Sequence, residues 1–86
     1  MTITKQMVAG QIAAYLHHEI TLALLVDWAE SVLMDGEFEE TDSKTVSEVV
    51  ARLGVADVRA FGLTWEDCED LLNKLGYSTR IEIVSA

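Results

Sequence analysis

Proline is absent from the 86 residues and cysteine occurs once, at Cys68. With no proline, no low-complexity stretch and no internal repeat, nothing marks a linker, so residues 1–86 are expected to form a single acidic helical domain. A lone cysteine excludes an intramolecular disulfide framework and suits a reducing compartment. Long apolar runs are missing too. None exceeds the length of Leu22 to Val26, far short of the roughly 20 residues that cross a bilayer. Residues 1–5 carry no charged region leading into an apolar leader. These absences predict a cytosolic protein with no membrane contact. The glycines at 10, 36, 54, 62 and 76 are scattered, which excludes a glycine-rich phosphate loop.

Basic residues are also scarce. Six lysines and arginines face fifteen acids, for a net charge of -9. The six stand isolated at 5, 44, 52, 59, 74 and 80, whereas nucleic-acid binding needs a clustered basic footprint that releases counterions. Direct nucleic-acid binding is therefore not expected. The field instead suits a basic protein partner, because complementary potentials speed encounter and repel wrong partners. Hydrophobic residues make up 50% of the chain, while a domain this short buries only about 60–65% of the surface its unfolded form exposes. Apolar surface left outside points to a partner or to a second copy, as a homodimer.

Hydrophobic periodicity predicts a mainly α fold: a small bundle of about four to five short helices with a short C-terminal β-strand. The first helix covers 4–17, with Val8, Ile12, Tyr15 and Leu16 inward and Gly10 weakening it. Thr21 caps the second, 22–35, the most apolar and expected to be central. Leu22, Leu25, Val26, Trp28, Ala29, Val32 and Leu33 fill its buried arc, while Leu24 and Met34 fall within the polar arc. Gly36 ends it. The third helix starts from Asp42 or Ser43, buries Val46, Val49, Val50 and Leu53, and closes at Gly54. A short turn at 56–61 offers Val58 and Phe61. The last helix begins with a capping box, Thr64 to Asp67, and buries Trp65, Cys68, Leu71, Leu72 and Leu75. It ends at Gly76, with Tyr77 packing back on Leu72. Residues 78–84 alternate polar with apolar and read as a strand, which must pair with a segment such as 36–40, with another copy or with a partner, or fray.

No catalytic, cofactor or metal site is expected. His17 and His18 are adjacent, so one helical face cannot aim both at one ion, and no paired-ligand spacing occurs. Cys68 sits among apolar stripe residues between Asp67 and Glu69, which makes it a buried, inert thiol rather than a nucleophile. The carboxylates run in solvated clusters, not in contrasting environments that would split their pKa values for acid-base work. The sharper feature is the segment 35–42, five acids around Phe38. Charge steers and an aromatic anchors in such a contact, although an ordinary solvated loop with Phe38 tucked inward has the same composition. The expected partner surface joins Leu24 and Met34 to Asp35, Glu37, Phe38, Glu39 and Glu40.

From residue 43 on, three helical pieces ending in glycine, with Leu63-Thr64-Trp65-Glu66-Asp67-Cys68 and Leu75-Gly76-Tyr77, resemble small helical interaction domains of the sterile alpha motif class over less than half the chain. A helix-turn-helix reading of this stretch is disfavoured, because its recognition helix would carry four acids and one lysine. In length and acidity the chain is similar to the colicin-type immunity proteins, which implies a small antagonist, antitoxin-like, that neutralises a basic target by charge. Three functions therefore stand: an interaction module for a basic partner, a homo-oligomer sharing its core through the second helix or the C-terminal strand, and, least favoured, an enzyme or ligand-binding protein.

Overall fold

The computed structural model of the chain describes residues 2–57 and 62–77. Their order is β1 (Thr2–Ile3), α1 (Lys5–Leu16), α2 (Leu22–Asp35), β2 (Glu37–Phe38), α3 (Ser43–Gly54) and α4 (Trp65–Lys74). The mainly helical small bundle is as the periodicity implied. Three threonines start three helices, each offering its hydroxyl oxygen to a first-turn N–H that has no intrahelical partner. Thr4 accepts from Met7, Thr21 from Leu24, and Thr64 from Asp67. The capping box closes because Asp67 Oδ2 in turn accepts from the Thr64 N–H at 2.9 Å. α3 begins differently. Asp42 occupies its cap position in the left-handed region, φ 63°, with no side-chain cap bond, and its carboxylate lies 3.7 Å from Lys5 Nζ.

The ends of α1 and α4 share one motif with different residues in its strained position. After α4, the Tyr77 N–H donates to the Leu72 carbonyl at 2.9 Å and the Gly76 N–H to that of Asn73 at 3.0 Å, a Schellman ending around Gly76 at φ 93°. Tyr77 packs on the core as expected. After α1, Glu19 donates to Ala14 and His18 to Tyr15, but the left-handed position is His18, φ 61°. Within α1, Gly10 is exposed, and a Cβ there would meet nothing within 4 Å. Since glycine costs a helix interior about 1 kcal/mol relative to alanine, Gly10→Ala is expected to raise the thermal midpoint in a circular dichroism melt. A lowered midpoint would show a packing role that the open space denies.

The core unites Ile3, Val8 and Ile12 with Leu25 and Ala29 of α2, the four apolar stripe residues of α3, and Cys68, Leu71 and Leu72 of α4. Although α2 is expected to be central, it is α3 that packs against all three other helices and β2. Its inward positions Val46, Val49, Val50 and Leu53 are all fully buried. α2 buries a narrower arc than its sequence suggests. Leu33, placed in that arc by its angle, is 45% exposed, with its Cδ1 at the edge of α3 beside Gly54. Trp65, expected in the stripe of α4, is 43% exposed, since it occupies the first helical position, at the rim of the bundle.

Residues 36–40 do supply a strand. Its partner is the N-terminal pair Thr2–Ile3, in parallel, with Thr2 opposite Glu37 and Ile3 opposite Phe38. The Glu39 N–H extends the ladder to the Ile3 carbonyl at 3.1 Å. The strand expected at 80–84 lies outside the described residues, as do Val58 and Phe61.

Candidate interaction surface

The seven residues of the expected partner surface divide by what the fold asks of them. Leu24 and Met34 both reach solvent, 54% and 82% exposed. Ten residues apart on a helix, they stand about 15 Å apart along its axis and about 80° apart around it, so they do not make one patch. Asp35, Glu37 and Glu40 are exposed. Phe38 is half-buried against the core, the inward placement that the same composition allowed. Glu39 is also half-buried, and its Oε1 accepts the N–H of Lys5, the first residue of α1, at 3.2 Å. Phe38 and Glu39 thus pin the loop, while Met34, Asp35, Glu37 and Glu40 are presented outward around the end of α2.

A cleft of about 270 Å3 opens beside this surface, lined by Trp28, Ser31, Val32, Asp35 and Gly36. Sequence reasoning assigned Trp28 to the core, and it does pack there in part. Its other side forms a cleft wall. A signal was available: Leu24, Trp28, Ser31 and Asp35 recur at i, i+4, i+7 and i+11, a single stripe along α2, and it ends at a glycine. A second cavity, also about 270 Å3, lies between Tyr15, Leu16, His18, Leu63 and Trp65. The third, about 190 Å3, is more polar and includes Lys5, Asp42 and Lys74.

Two titratable groups, Asp67 and Cys68, are shifted by their surroundings. The Thr64 N–H and hydroxyl hold the Asp67 carboxyl below its ordinary range, helped by the Arg52 guanidinium 3.5 Å away. Arg52 also donates to the Gly62 carbonyl at 3.0 Å, tying α3 to the start of α4. Burial pushes the Cys68 thiol up to about 11, the Asp67 charge adds to the shift, and Arg52 opposes it. The thiol is expected to resist alkylation at pH 8 in the folded chain and to react once the chain is unfolded in denaturant; comparable rates in both states would contradict its burial. The linkage has a sign. An unfolded thiol ionises near 9 while the folded one stays protonated to about 11, so its contribution to stability is intact below pH 9 and falls as pH rises through 11. Cys68→Ala lacks that component of alkaline destabilisation.

His17 and His18 are both exposed, at the end of α1. Among the described residues no group of three or more histidines, cysteines and carboxylates could hold a metal ion, and no helix is long and apolar enough to cross a membrane. No protein-family model, curated protein or solved structure matches the chain.

Proposed function

We propose that the chain is a protein-interaction module that engages a basic protein partner through Met34, Asp35, Glu37 and Glu40 at the end of α2. The observation that carries this reading is Met34, 82% exposed on a surface where its neighbours are acids. An unbranched thioether adapts its shape to many apolar surfaces, and the surrounding carboxylates select a positive one. A small antagonist that masks a basic target, antitoxin-like or immunity-like, is the concrete form that a chain of this size and a charge of -9 best suits. It acts by occupying a surface, with no chemistry of its own.

The test is capture of the partner from the native host at low ionic strength with the Asp35→Lys, Glu37→Lys, Glu40→Lys variant. The expected result is loss of a basic partner from the variant but not from a control that reverses the equally exposed Glu48 and Asp70. An identical partner set for all three proteins would remove this surface from the reading. Self-assembly through α2 is the second reading, favoured by the exposure of Leu24, Leu33 and Met34 on one helix. Charge opposes it, since each copy brings -9 to the contact. Light scattering over a concentration series separates the two: a species that doubles in mass at micromolar concentration supports self-assembly, and a constant monomer excludes it in that range.

A further inference from the structure

We infer that the cleft beside Trp28 is the anchor site of this surface, and that its occupant is a basic segment of a partner protein carrying one large apolar side chain. The inference rests on the reading of the end of α2 as a partner surface and goes further, in naming where binding is anchored and by what chemistry. The cleft has the two parts that such an occupant requires. Its floor and one wall are apolar, from Val32 and the uncovered side of the Trp28 ring, and Gly36 lines its end. Its rim carries one acid, Asp35, and the exposed Glu37 follows Gly36 at its end. At about 270 Å3 it has room for a single large side chain. A large aromatic that its partner desolvates is where interface energy concentrates, and the Asp35 carboxylate beside it favours a cationic neighbour. The same charge selects the occupant: a second copy of this chain, or an acidic segment, would set carboxylates against Asp35 and Glu37.

The probe is a 14-residue peptide of lysine and leucine in helical pattern, compared with a lysine-serine peptide of equal charge and a glutamate-leucine peptide of equal apolarity. Trp65→Phe in the full chain leaves Trp28 as the sole indole, so its emission reports the cleft. The lysine-leucine peptide is expected to shift Trp28 emission to the blue, saturably, and to bind at least tenfold tighter than either control. Asp35→Lys with Glu37→Lys should weaken it at least tenfold. Ser31→Gln, a neutral side chain placed at the cleft mouth on an exposed helical position, should do the same at unchanged helix content. Equal binding of the lysine-serine peptide would mean attraction by the general field, and equal binding of the glutamate-leucine peptide would mean apolar contact without charge selection; either overturns the inference. So would a dimer that excludes the peptide, which makes a second copy the occupant, or a tenfold gain in affinity on Ile81→Asp with Ile83→Asp, which makes the chain's own C-terminal segment the occupant. The captured native partner keeps the two levels apart. If the lysine variants lose it and Ser31→Gln does not, the partner surface stands and the anchor site falls. If none loses it, both fall.

Discussion

Replacing Gly36 with alanine is expected to destabilise the fold by about 1–3 kcal/mol, the usual cost of forcing a methyl into a filled site, and to lower the thermal midpoint by roughly 5–20 °C for a domain of this size. The backbone does not demand glycine here: at φ -80° and ψ 152° any residue is at ease. Space does. A Cβ at this position would lie 2.7 Å from the Val32 carbonyl oxygen, 3.0 Å from Ile3 Cγ1 and 3.2 Å from Val32 Cγ1. The first of these is helix backbone, fixed by accepting the Gly36 N–H at 2.8 Å, so relief requires moving the end of α2 itself. The same substitution at Gly10, inside α1 rather than at a helix end, has the opposite expected sign. The pair makes a controlled comparison, because propensity favours alanine in α1 and contact opposes it beside α2. A Gly36→Ala midpoint within about 2 °C of the parent, well under the shift expected from 1 kcal/mol, would mean that the end of α2 yields freely and that Ile3 is not seated against it.

That contact also explains which parts of the fold could be read from the chain. Helices are legible where local signals agree, and in α4 they do: a threonine with an acid three positions on, apolar residues at helical spacing, then glycine before an aromatic. The structure returns the capping box, the buried Cys68, Leu71, Leu72 and Leu75, and the Gly76–Tyr77 ending, but not the burial of Trp65. Gly36 was legible as a stop, but the reason was not, because a helix end that turns left-handed and one that must admit a neighbour's side chain both ask for glycine. The neighbour here is Ile3, 33 positions away, and two residues, Thr2–Ile3, are too short a run to show any strand periodicity. The same gap explains why residues 36–40 stood only as one possible partner for the visibly alternating C-terminal residues, with no sign of Thr2–Ile3. For the partner surface, composition picked out the acids and the stray apolar groups Leu24 and Met34. It could not tell Glu37, which faces solvent, from Glu39, whose carboxylate is used on the Lys5 N–H. Nor could it show that Trp28 serves the core with one side and a cleft with the other, since angle on a helix gives direction and not depth.

Ile3→Ala is expected to be the most damaging single truncation at a position with no periodicity to mark it, at about 2–5 kcal/mol, out of a total that for a chain of this length is on the order of 5–13 kcal/mol. The competing expectation is strong. Residues next to a terminus commonly fray, and their truncation then costs nothing. Ile3, however, is fully buried within the main core cluster, and it is held there from two directions. Its carbonyl accepts the Glu39 N–H at 3.1 Å, and its side chain fills the space that Gly36 leaves open. A parallel pair of two-residue strands has no independent stability, so the side chain's burial is what holds the ladder in place. Its loss should release β2 and the acidic loop with it. Thermal melting gives the size of the effect, and hydrogen exchange gives its location, with faster exchange expected at the Glu39 amide. Double substitution then tests the contact itself. Ile3→Ala removes Cγ1, one of the three atoms that a Gly36 methyl would strike, while the Val32 carbonyl remains. The double variant should therefore lose less than the sum of the two single losses, by an amount within the 0.5–3 kcal/mol typical of residues in contact. Strict additivity would show that the two residues do not touch, and that the N-terminal strand holds the fold by some means other than packing against the end of α2.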